Sequence, residues 1–165
     1  DATGLRLLQG DKLLQKLKEG YKPPVIRSKL SLKTRMSEIE LHRELQRASG
    51  ALQGRVVLDG VSSARYQTVI AAEPIASFYC STRPEELARA ASIDTTPERH
   101  FANLELLQTD DERLFFDSRE VDGRLLSSPV QTWCELVTGD KRAQEVAEVL
   151  RDRLLKEMAT GASDG

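Results

Sequence analysis

Cysteine, histidine and aromatic residues are scarce in this chain, and each scarcity excludes a class of protein. Two cysteines, Cys80 and Cys134, and two histidines occur among 165 residues, without the spacing of a zinc motif. We therefore predict two buried free thiols and no metal or other cofactor; a disulfide between them is the alternative. Aromatic residues make up 5% of the chain, too few for a stacking surface on single-stranded nucleic acid.

Long apolar runs are also absent. Runs such as residues 69–72 (VIAA) are far shorter than the roughly 20 residues of a membrane helix. The chain opens without an apolar leader, and its 39% hydrophobic and 30% charged residues are typical of a globular domain. We expect a cytoplasmic protein. Because the first residue is Asp1 rather than Met, we also expect a piece of a longer chain.

Positive charge is concentrated near the N-terminus. The net charge is −2, yet residues 1–47 hold 11 Lys and Arg against 6 Asp and Glu. A basic set follows the helix-breaking prolines after Tyr21, and its members are Lys22, Arg27, Lys29, Lys33 and Arg35. These side chains are our candidates for contacts with DNA phosphates. The alternative is an ordinary solvated face.

Capping and turn signals predict helices and strands mixed along the chain. Ser37 and Glu40 form a capping box, Asp122–Gly123 favours a hairpin, and Asp140 caps the final helix. We also predict strands at residues 55–58, 75–80, 101–107 and 113–116, and helices at 11–19, 37–48, 62–66, 82–91 and 128–138. In these helices Thr82 is the predicted cap of 82–91, Ser128 starts 128–138, and Ile39 is expected to face inward from 37–48. The expected fold class is α/β (mixed α+β), a small mixed sheet packed by helices, with a long C-terminal helix.

The sequence offers little for catalysis. His42 is predicted on the surface of a helix and His100 before a strand, and neither has an evident partner, so we predict no catalytic residue. An alternative is a metal-dependent nuclease or nucleotidyltransferase that uses Asp59 together with other carboxylates. Those carboxylates would be Asp110, Glu120 or Asp122. A third hypothesis is an oligomerisation module of a larger regulator.

Residues 58–64 (LDGVSSA) are the most site-like segment, because a strand, a tight turn and a helix start follow one another. Backbone N–H groups at such a helix start can receive a phosphate. Close packing of a strand against a helix explains the small residues equally well.

Five segments, in order, resemble the AbiEi family, the antitoxins of bacterial type IV (abortive infection) toxin–antitoxin systems. They are residues 13–24 (LLQKLKEGYKPP), 58–64, 75–80 (IASFYC), 127–136 (SSPVQTWCEL) and 139–150 (GDKRAQEVAEVL). The resemblance covers about residues 10–155. Cys134-Glu135 and Asp140–Arg142 depart from the family pattern, which puts the partner surface in question.

The resemblance implies a transcriptional autoregulator that neutralises a nucleotidyltransferase toxin and is not an enzyme. Promoter DNA would be bound with an N-terminal winged helix that this chain lacks, and a homodimer would occupy the operator. We divide the chain into an N-terminal helix and basic connector (1–36), an α/β effector domain (37–158) and a disordered tail (159–165). Candidate partner-binding residues are Ser128, Gln131 and Trp133; the alternative is that Trp133 belongs to the core.

Overall fold

The structure is a computed structural model that describes residues 2–68 and 75–161, with side chains from residue 9 onward in the first range. Helices and strands alternate along these ranges, which confirms the predicted mixed α/β class. The helices are α1 (Ala2–Gly20), α2 (Glu38–Ala51), α3 (Gly60–Gln67), α4 (Pro84–Ala90), α5 (Pro129–Val137) and α6 (Lys141–Gly161). The strands are β1 (Ser28–Leu32), β2 (Val56–Leu58), β3 (Ala76–Cys80), β4 (Leu104–Gln108), β5 (Arg119–Val121) and β6 (Arg124–Leu126).

The strands form one mixed sheet in the order β1-β4-β3-β2-β6-β5. Pairing is parallel between β3 and β4 and between β2 and β6, and antiparallel elsewhere. β1 is an edge strand and pairs with β4 from Ser28 opposite Gln108 to Leu32 opposite Leu104. The segment predicted as helix and connector (1–36) therefore supplies a strand to the same sheet as the rest, and α1 packs against α6.

The two larger hydrophobic cores both receive residues from α3. The first joins one face of the sheet to α2 and α4 and includes Leu45, Phe78 and Leu106. The second joins α1, α5 and α6 and includes Leu14, Trp133 and Leu150, with Ala64 of α3 among them. On the opposite face of the sheet, a 3-10 helix (Glu112–Phe115) covers Val57 and Tyr79. The turn from β2 into α3 thus connects the sheet with the helical layer.

Local capping signals in the sequence formed as predicted. The Ser37 side chain accepts a hydrogen bond from Glu40 N, and the Glu40 carboxylate accepts one from Ser37 N. In the β5–β6 hairpin, Asp122 and Gly123 have φ values of 51° and 81°. Asp140 caps α6, because its carboxylate accepts from Ala143 N at 2.8 Å.

Several predicted local features are wrong. Residues 113–116 belong to the 3-10 helix and the turn after it rather than to a strand, because Asp111 caps a helical turn there. The N-cap of α4 is Arg83, without a side-chain cap, so Thr82 does not have the predicted role. Ile39 is 43% exposed and does not face the core. The predicted tail begins too early, since α6 continues to Gly161; residues 162–165 lie outside the described ranges.

Cys80 and Cys134 are both buried free thiols, as predicted. No helix in the described ranges combines the length and apolarity needed to span a bilayer.

Candidate functional site

The turn between β2 and α3 brings Asp59 and Gly60 against α5. Asp59 is the N-cap of α3, and its carboxylate accepts a hydrogen bond from Ser62 N at 2.8 Å. Gly60 begins the helix with no side chain, and a Cβ there would lie 2.9 Å from the Cα of Thr132 in α5. The absence of a side chain at residue 60 therefore allows α3 and α5 to cross closely.

Glu135 of α5 reaches into this turn. Its Oε2 atom accepts a hydrogen bond from Gly60 N at 2.9 Å and another from Gln131 Nε2 at 2.9 Å. The same Gln131 amide lies 3.4 Å from the hydroxyl of Tyr21, just after α1. The Tyr79 side chain also hydrogen-bonds Glu135, and Asp59 directly precedes Gly60. We name these neighbouring residues the carboxylate cluster: Tyr21, Asp59, Tyr79, Gln131 and Glu135.

Burial dominates the electrostatics of the carboxylate cluster. Burial and the nearby charge of Glu135 raise the pKa of Asp59 to about 7. Burial also raises the pKa of Glu135, although its hydrogen bonds with Gln131 and Gly60 act in the opposite direction. Burial, and then Glu135, raise the pKa of Tyr79 and bring that of Tyr21 to about 12. Two carboxyl groups buried side by side resist double ionisation, so the cluster holds a proton close to neutral pH.

The carboxylates predicted to act with Asp59 do not gather around it. Asp110 forms an ion pair with Arg27, and Glu120 and Asp122 are exposed on the β5–β6 hairpin. Within residues 2–68 and 75–161, no three His, Cys, Asp or Glu side chains stand close enough to hold a metal ion. The partner of Asp59 is Glu135, so the ligand set proposed from the sequence for a metal-dependent enzyme is not formed there.

The three candidate partner-binding residues occupy different environments. Trp133 is 3% exposed in the second core, which agrees with the core alternative and corrects its prediction as a surface contact. Ser128 is buried too, because its side chain caps α5 by accepting from Gln131 N at 3.0 Å. Gln131 is half-buried and bridges Glu135 and Tyr21 in the carboxylate cluster.

The basic set lies along and beside β1 and is partly neutralised. Arg27 pairs with Asp110, and Lys29 Nζ lies 3.1 Å from Glu105 Oε1. The other three, Lys22, Lys33 and Arg35, are exposed and form no ion pair with any residue the structure describes. Unpaired positive charge therefore concentrates at the end of β1, at Lys33 and Arg35.

His42 is not the surface residue that the sequence predicted. It is 2% exposed, because α2 turns this position towards the sheet, and its ring lies edge-on to Phe78 with 5.1 Å between ring centroids. Burial lowers the pKa of His42 to about 4. His100 is exposed beside Phe101.

Sequence reasoning missed Glu135 as a functional candidate. The available signal was its position four residues after Gln131, which places both side chains on one face of α5. Comparison with protein-family models, with curated proteins and with solved structures found no match.

Proposed function

We propose that this chain is the antitoxin of a type IV toxin–antitoxin pair, a cytoplasmic protein that neutralises a nucleotidyltransferase toxin and contributes to repression of its own promoter. The observation that carries the proposal is a convergence of segments. Three segments that resemble AbiEi antitoxins, residues 13–24, 58–64 and 127–136, contribute Tyr21, Gly60 and the Gln131–Glu135 pair to one hydrogen-bonded cluster. Segments that resemble one family and lie far apart in the sequence therefore contact one another in the fold.

The last of the five resembling segments supports the same interpretation. Residues 139–150 form the turn into α6 and its first half, and there Ala147 and Leu150 pack with Leu136 of α5 in the second core. Short sequence similarities carry more weight when their residues touch, because contacting segments are constrained together by one packing arrangement.

Contact with DNA is the less specific part of the proposal. Lys33 and Arg35 offer exposed positive charge that could neutralise backbone phosphates, and Lys22 adds a third exposed charge. Phosphate contacts position a protein on the duplex without reading its sequence. Operator specificity would thus come from the winged helix that the family resemblance implies outside these residues.

Growth rescue tests the antitoxin function directly. The chain is co-expressed with the nucleotidyltransferase encoded beside its gene, and colony survival is compared with an empty vector. An inactive toxin variant controls for the burden of expression, and the soluble level of the chain is measured in each culture. We expect survival to be restored. A soluble, folded chain that leaves colony counts at the empty-vector level would contradict the assignment of toxin neutralisation to these residues.

Charge reversal tests the contribution of the basic set to DNA binding. We expect the double variant Lys33→Glu, Arg35→Glu to weaken binding to promoter DNA by about tenfold or more, and to lower the slope of log affinity against log salt by about 2. Fluorescence anisotropy at several salt concentrations measures both quantities. Lys141→Glu, Arg142→Glu is the matched control, because these exposed residues also lack ion pairs among the described residues. Equal losses in the two double variants would show that only net charge matters.

A further inference from the structure

A cavity of about 220 Å³ lies between α2, α3 and the start of β3, away from the carboxylate cluster. Its apolar wall includes Met36, Leu41 and Leu58, and its polar wall includes His42 and Arg65. The volume is below the roughly 300 Å³ at which pockets for drug-sized ligands begin. An occupant would therefore be a small molecule with an apolar part. We name this space the His42 cavity.

Hydrogen-bonding capacity remains unused at the polar wall. Arg65 donates through Nη2 to Glu38 and to the Tyr66 hydroxyl, which leaves its Nε and Nη1 groups without an acceptor among the described residues. The ring nitrogens of His42 likewise have no hydrogen bond there, although the residue is 98% removed from solvent, being 2% exposed. Neither ring nitrogen is among the described atoms that are fully buried without a partner, so the imidazole is open to the cavity and available to a ligand there.

The local charge favours an anion. Glu38 accepts hydrogen bonds from both Arg65 and Arg124, and the two guanidinium groups stack on the Tyr66 ring at 4.5 and 5.1 Å from its centroid. Two positive charges thus share one carboxylate, and the neutral imidazole of His42 adds none. The excess positive charge, with the free N–H groups of Arg65, suits an oxyanion that accepts a charge-assisted hydrogen bond from one of them.

We propose that the His42 cavity binds a small organic oxyanion, a carboxylate or phosphate carried on a compact apolar body. The oxyanion accepts from one free N–H group of Arg65, a polar group of the ligand bonds the His42 imidazole, and the apolar body contacts Met36 and Leu58. This site is independent of the antitoxin proposal, because none of these groups belongs to the carboxylate cluster or to the basic set.

Nuclear magnetic resonance titration on the full chain tests this proposal. The probes are benzoate, phenyl phosphate and inorganic phosphate at matched ionic strength, and the readout is the ring C–H resonance of each histidine. His100, exposed and distant in sequence, is the internal control. We expect saturable shifts of His42 alone, with a dissociation constant of about 1 mM or lower for benzoate or phenyl phosphate. Whichever of the two binds more tightly identifies the headgroup, and inorganic phosphate should bind more weakly than either.

Matched variants separate binding from structural damage. Arg65 and Arg124 both bond Glu38, but only Arg65 lines the cavity. We expect Arg65→Gln to weaken binding about tenfold or more and Arg124→Gln to change it far less. Arg65→Lys keeps a positive charge beside Glu38 but lacks the separate Nε and Nη1 donors that Arg65 leaves free, so it should also weaken binding and decides the matter if Arg65→Gln does not fold. The proposal would be overturned if the shifts did not saturate or if both histidines shifted equally. It would also be overturned if inorganic phosphate bound as tightly as benzoate and phenyl phosphate, or if binding were unchanged in both Arg65 variants.

Discussion

Replacing Gly60 by Ala is expected to lower the free energy of unfolding by about 1–3 kcal/mol, the usual cost of overfilling a packed interior. The new Cβ would lie 2.5 Å from Glu135 Oε2 and 2.9 Å from the Cα of Thr132. The Glu135 carboxylate can swing away at the expense of its bond with Gly60 N, but the Thr132 backbone cannot move without shifting α5. Urea unfolding followed by the fluorescence of Trp133, the only tryptophan, measures the loss.

Gly50→Ala is the matched control for this substitution. Gly50 lies in α2, is exposed, and has no atom within 4 Å of the position where a Cβ would be. Alanine there should raise the free energy of unfolding by up to about 1 kcal/mol, because it reduces the backbone freedom of the unfolded chain. If Gly60→Ala were as stable as Gly50→Ala, the close crossing of α3 and α5 would not constrain the fold.

Features governed by neighbouring residues could be predicted from the sequence. The capping box of Ser37 and Glu40, the Asp122–Gly123 turn and the Ser128 cap of α5 each depend on contacts within a few residues, and each formed. The error at residues 113–116 is instructive, because Asp111 caps a 3-10 turn within an apolar sequence that resembles a strand. A single capping contact there outweighs the apolar pattern.

The carboxylate cluster depends on distant contacts that the sequence does not encode locally. Gly60 and Glu135 are 75 positions apart and meet only because β6 pairs with β2 and delivers α5 beside α3. The same limit explains His42, whose charged neighbours suggest a surface helix, while the sheet buries its face of α2 against Phe78. Predicting either site requires the strand order, which short motifs do not specify.

The carboxylate cluster lies where the two hydrophobic cores meet. Asp59 follows the strand that carries Val56 and Leu58 of the first core, and Glu135 lies between Cys134 and Leu136 of the second. Movement of α5 relative to the sheet would therefore change the environment of both carboxylates.

Replacing Asp59 by Asn is expected to stabilise the protein by up to about 4 kcal/mol near pH 8 and to have a smaller or opposite effect near pH 4. The pKa of Asp59 is raised to about 7 by burial and by Glu135, above the ordinary value of 3.8. Between these values the folded state holds a proton that the unfolded state has released, so the stability of the parent protein falls as pH rises through this window. Asn carries no ionisable proton, and it accepts the cap bond of Ser62 N as Asp does.

The free energy of unfolding of the variant and of the parent is measured by urea unfolding at pH 4, 6 and 8. The difference between the two proteins removes the contributions of groups such as His42, whose effect on stability changes with pH in the opposite direction. The pKa of His42 is lowered to about 4, so the protein loses stability through this residue as pH falls below the ordinary histidine pKa of 6.5. This contribution is common to both proteins and cancels in the difference. Asp140→Asn controls for exchanging a capping carboxylate for an amide, since Asp140 caps α6 from an exposed position. A stability difference that stays constant from pH 4 to pH 8 would mean that the pair of Asp59 and Glu135 does not hold a shared proton in this range.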